Sequence, residues 1–130
     1  MPNGGVLANR VLFAVSSGST LSSSSSFTFF QFKHDTLAPA GDTGNFAEYP
    51  TLGIDANALY VGTNIFTAAG AFAGTSAYVV RKSSILGAGP IVATAFRSLG
   101  TGAVSGPYTP QGVDNYDRSE EHTSELQSPC

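Results

Sequence analysis

Apolar residues along this chain fall in short runs broken by Gly, Pro and Ser, the pattern of strands and turns. The runs predict strands at 10–16 (RVLFAVS), 27–33 (FTFFQFK), 50–55 (PTLGID), 58–66 (ALYVGTNIF), 76–82 (SAYVVRK) and 91–97 (IVATAFR). No segment keeps a helical period for three turns, and only KSSIL at 82–86 predicts a single helical turn. The predicted fold is all-β.

A strand with one wet face alternates apolar and polar residues, but here both alternating sets are apolar. Leu59, Val61 and Ile65 oppose Tyr60 and Phe66, and Phe27 and Phe29 oppose Phe30 and Phe32. Such strands need cover on both faces. A two-layer sandwich leaves one face of each sheet in water, whereas a β-propeller stacks each four-stranded blade between two others. Internal similarity points the same way: LFAVS at 12–16 aligns with YVVRK at 78–82, and Phe27–Phe32 with Ile91–Phe96, at offsets of 66 and 64 residues. EYPTLGID at 48–55 recurs as YTPQGVDNYD at 108–117. The expected architecture is an incomplete β-propeller: a blade remnant at 10–33, a blade at 50–97, and the start of another at 108–117 within a domain of residues 1–117.

Asp55-Ala56-Asn57 separates two strands with residues suited to an Asx turn and to left-handed backbone, which makes 50–66 a hairpin. The serine run Ser22–Ser26 and the small-residue stretches 67–75, 86–90 and 98–107 read as loops. Gly53 and Gly62, inside strands with no helix after them, mark bulges or close contacts and no phosphate cradle.

The stretch FAEYPTLGIDANALYVGTNIFTAAGAFAGTSAYVVRKSSIL, with GPYTPQGVDNYD after it, resembles uncharacterised bacterial exported proteins with sialidase-like β-propeller repeats. The resemblance spans about residues 10–117. It implies a blade and an extracellular or cell-surface parent, with any signal peptide upstream of Met1. The family's Asp-box SxDxGxTW, its Trp and a three-arginine carboxylate site have no counterpart here. The function expected is therefore a non-catalytic binding or scaffolding module of a larger exported protein, with carbohydrate or protein partners. The alternatives are a catalytic fragment of a glycoside-hydrolase propeller, with acids from other blades, and a structural surface-protein repeat.

Composition narrows the classes further. With 42% hydrophobic and 12% charged residues, the chain can build a core and suits a β-rich exported protein. The body before Arg118 holds 5 basic and 6 acidic residues, a balance that recruits neither nucleic acid nor an anionic membrane. Its longest apolar run is too short for a membrane span. The body has no cysteine, so neither disulfides nor a thiolate metal site are expected.

Few residues are candidates for chemistry. Asp55 and Asp114 occupy equivalent strand ends, as structural turn residues or as carboxylates facing a propeller channel. Asp42, Asn45 and Glu48 offer oxygen ligands three residues apart, a weak Ca²⁺ site without EF-hand spacing; no other cofactor or metal is expected. His34-Asp35 reads as a polar loop, because neighbours on an extended chain point apart. Tyr49, Tyr60 and Tyr108 suit either sugar stacking or packing between blades.

The repeat breaks off after Asp117. Arg118–Ser128, RSEEHTSELQS, looks like the in-frame translation of a common sequencing-library adapter, and 118–130 is therefore expected to be a non-native, unfolded tail. Deleting 118–130 should leave the thermal unfolding midpoint unchanged; a loss of several degrees would make the tail part of the fold.

Overall fold

Six strands form where the apolar runs place them, with ends moved by local chemistry. The computed structural model describes residues 9–87, 89–100 and 106–115. The tail at 118–130 and the end of the expected third repeat lie outside the described residues. The strands are β1 (Arg10–Ser16), β2 (Phe27–Lys33), β3 (Phe46–Ile54), β4 (Ala58–Phe66), β5 (Phe72–Arg81) and β6 (Ala93–Gly100). A single helical turn, α1 (Lys82–Ile85), follows β5, as KSSIL predicts.

β1 and β2 pair as an antiparallel hairpin in register Arg10 with Lys33 through Ser16 with Phe27. The other four strands form an antiparallel meander in the order β3-β4-β5-β6. β3 begins four residues before its predicted start at Pro50. Pro50 has no amide hydrogen to donate, and the ladder accommodates it with a register shift between Glu48 and Thr51, where Tyr49 has φ 54°. An edge strand tolerates this because only one side must pair.

Strand parity divides the meander into two faces. Leu59, Val61, Tyr78, Val80 and Ala95 point toward the hairpin and meet Phe30 and Phe32 of β2 in one buried core. The Phe32 ring lies 5.3 Å from Tyr78 and 5.9 Å from Phe13. Fully burying a phenylalanine removes enough apolar area to contribute about 2–3 kcal/mol, so these two rings are the main attachment of hairpin to sheet. Ile85, brought in by α1, closes the core at one end.

The opposite face is crossed by residues 106–115, here called the strap. It passes Gly100 and Thr75, then Asn64, then Gly62 and Thr51, and ends beside Gly53 and Ile54. It thus travels from β6 back to β3. Gly53 and Gly62 let it lie flat, since a Cβ at Gly53 would sit 2.6 Å from the Gly112 carbonyl carbon and one at Gly62 would overlap the Pro110 carbonyl. Thr51 donates its hydroxyl to that same carbonyl at 2.6 Å, and Asn64 exchanges two hydrogen bonds with Thr109. Residues 108–115, expected as a strand, join no ladder among the described residues: they run across the strands beneath, and their backbone bonds go to side chains and to the edge of β3.

With cover on both sides, every residue of β4 except Tyr60 and Phe66 is buried. The hairpin is not so covered. Its outward residues Leu12 and Phe29 are 72% and 67% exposed.

Gly62→Ala should lower stability by about 1–3 kcal/mol, the usual range for overpacking, and speed hydrogen exchange at the Asn115 amide, which donates to Ile54. Unchanged stability and unchanged exchange would mean that the strap does not press on the sheet.

Candidate functional site

The Asp55 turn is built by its own carboxylate. Asp55 Oδ1 accepts the amides of Asn57 and Ala58 at 2.7 Å each, and its amide donates to the Ala58 carbonyl at 3.1 Å. Oδ2 accepts the Tyr60 hydroxyl at 2.7 Å, and Lys82 Nζ donates to the Asp55 carbonyl at 2.9 Å. The Tyr60 hydroxyl, followed by the two amides, holds the Asp55 carboxyl below its ordinary value; the same contact raises the Tyr60 phenol. Both oxygens are thus occupied by donors of this chain, the environment of a fixed carboxylate rather than of a general acid.

Asp114 reaches the same strand end by another route. The strap carries it to β3, where its Oδ1 accepts the Ile54 amide at 3.0 Å and the Asn115 amide donates to the Ile54 carbonyl at 2.8 Å. The two aspartates that sequence reasoning paired therefore flank one short stretch, Ile54-Asp55. Each bonds the backbone there.

A second polar cluster lies on the hairpin face. Arg97 donates Nη1 to Asp42 Oδ2 at 2.7 Å, Nε to the Pro39 carbonyl at 2.7 Å, and Nη2 to the carbonyls of His34 and Leu37 at 2.7 and 3.2 Å. Asp42 Oδ2 also accepts the Ser76 hydroxyl at 3.0 Å. The pair is mostly buried, and removing one member of such a pair typically costs about 3 kcal/mol or more because the other is left uncompensated. Tyr78 lies in the same region, and burial pushes its phenol up, with Thr63 and Arg97 pulling the other way.

Asp42, Asn45 and Glu48 serve different ends. Asp42 is engaged by Arg97 and Ser76, Asn45 presents its carbonyl to His34 Nε2 at 3.1 Å, and Glu48 is exposed on β3 opposite Asn64. Among the described residues no group of three or more His, Cys, Asp or Glu could hold a metal ion, and no helix is long and apolar enough to cross a membrane. Of the three candidate tyrosines, Tyr108 packs 5.0 Å from Phe72, Tyr60 bonds Asp55, and Tyr49 is 67% exposed at the β3 bulge.

Arg97, and the burial of His34, are what reading the sequence missed. His34 falls in the turn after β2, where a polar loop was expected, but it is 1% exposed and its Nδ1 has no hydrogen-bond partner among the described residues; Asp35 lies 3.9 Å from Lys33. The available signal was parity, because Phe30, Phe32 and His34 continue one inward set, and Ala93, Ala95 and Arg97 another.

Two depressions stand out on the surface of the described residues. One, of about 540 Å³, lies at the end of β5 beside α1 and presents Arg81 and Lys82 over Val79, Leu86 and Val92. The other, of about 380 Å³, is an apolar groove between β1 and β3.

Asp55→Ala should bring the Tyr60 ionisation down toward the ordinary tyrosine range near 10, read from its ultraviolet difference spectrum; an unmoved midpoint would mean that the contact does not form. Because the Asp55 pKa is depressed, what this contact adds to stability is whole above the unfolded value near 3.8 and is lost as pH falls through the folded value. No protein-family model matches the chain, and no curated protein or solved structure matches it either.

Proposed function

We propose that the chain is a partial β-propeller acting as a non-catalytic binding or scaffolding module of a larger exported protein. The observation that carries this reading is the course of the two connections. Residues 34–45 leave β2, lie against β5 and β6 through Ala38, Pro39 and Asp42, and deliver the chain to β3. The strap starts beside Gly100 of β6 on the opposite face and returns toward β3. A propeller chain makes this passage after each blade, from the outermost strand across the interface to the innermost strand of the next. β1–β2 then stand as the outer strands of one blade and β3–β6 as a whole blade.

The aspartates support the non-catalytic part. Asp55, Asp114 and Asp42 each have at least one carboxylate oxygen bonded to backbone amides or to Arg97, and these bonds hold the fold together. A scaffold works through its faces, and here two apolar faces are open: Leu12 and Phe29 outside the hairpin, Phe96 and Val113 outside the sheet and strap. These surfaces are different, so stacking them is head-to-tail.

Light scattering across a dilution series should show self-association that grows with concentration. A cooperatively unfolding monomer with no dye-accessible apolar surface would replace the propeller by a self-contained sandwich. Hydrolysis of a fluorogenic glycoside that disappears in Asp114→Asn would overturn the non-catalytic assignment.

A further inference from the structure

Among the described residues two strands cover the four-stranded meander on its hairpin side, and the shortfall is local. Phe30 and Phe32 sit over β4, β5 and β6, while beside β1 the same interface continues as the open groove of about 380 Å³. Val11, Phe13, Ala47, Leu52, Val61 and Thr63 line it. The groove is bounded on one side by a free strand edge. Among the described residues β1 pairs only with β2, and the Ser17 amide donates to the Ser26 carbonyl at 2.8 Å. By the alternation of an antiparallel ladder, Val15, Phe13 and Val11 bond β2, which leaves the N–H and C=O groups of Leu12 and Ala14 pointing over the groove. No described residue pairs with them.

We propose that this edge is an acceptor site for one antiparallel β-strand with the chemistry of β4, apolar at every second position, which pairs with β1 and fills the groove with its inward side chains. The occupant follows from the correspondence of 12–16 with 78–82: β5 has β4 on one side and β6 on the other, whereas among the described residues β1 has β2 alone. This rests on the propeller reading and deepens it. Strand addition of an extended segment to a free edge supplies backbone bonds together with side-chain pockets.

The test uses the full chain, diluted below any association, and a synthetic peptide of residues 58–66, ALYVGTNIF, flanked by lysines for solubility. Amide exchange at Leu12 and Ala14 should slow about tenfold at a peptide concentration ten times its dissociation constant, at one peptide per chain. Leu12→Pro removes one edge amide while its side chain stays in solvent, so it should abolish the protection and leave the far-ultraviolet spectrum intact. Should that variant misfold, peptides N-methylated at alternate residues replace it: methylation on the β1-facing set should prevent binding, and methylation on the other set should not. Failure to bind, protection at β3 or β6 in place of β1, or indifference to methylation would overturn the proposal. So would a dimer that itself protects Leu12 and Ala14 and excludes the peptide. Association by light scattering with no effect of peptide would sink the acceptor edge alone, whereas a closed monomer would sink the propeller reading.

Discussion

A strand with no wet face constrains everything around it. β4 presents Leu59, Val61 and Ile65 on one side and Gly62 and Asn64 on the other, and all five are buried. The apolar side calls for apolar partners, which Phe32 and its neighbours provide. The other side carries too little side chain to interdigitate with a second sheet, and what fits there is bare backbone. The strap meets that demand, and its Pro110 carbonyl and Thr109 hydroxyl satisfy Thr51 and Asn64, which would otherwise be covered without partners. One face is therefore held by area removed from water and the other by hydrogen bonds at close range.

The same asymmetry explains how the chain passes from element to element. Both connections are fixed by polar side chains on the sheet: Arg97 on the hairpin side and Thr51, Asn64 and Thr75 on the strap side bond passing main chain, while Ser76 bonds the Asp42 carboxylate. Residues of this kind within strands are costly to bury alone, and each has its partner in a segment distant in sequence. The meander thus specifies where the loops lie as well as how its own strands pair.

Local chemistry was legible in the sequence and long-range geometry was not. The Asp55 turn, the single turn at KSSIL and the all-β class all follow from residues within a few positions of one another. Pro50 misled, because its missing amide marks a strand start and an edge bulge equally well. Arg97 and the burial of His34 escape a local reading because polarity at the end of an apolar run suggests that the strand has left the core; both continue its inward parity, with partners 11 and 55–63 residues away. The strap was read as a strand since Pro-x-Gly-x-Asp repeats the composition of β3, while the direction in which it crosses depends on what lies beneath it.

The Arg97 clamp has a consequence for how this molecule tolerates change. Three of its four acceptors are carbonyl oxygens, of His34, Leu37 and Pro39. It therefore recognises the path of the 34–39 loop and is largely blind to the identity of the side chains along it. Substitutions at exposed Thr36 or Ala38 leave those carbonyls in place, and only Asp42 is read by its side chain. A loop anchored by its backbone is free to drift in sequence while its course stays the same, so one position in β6 gives the surface above it room to diversify.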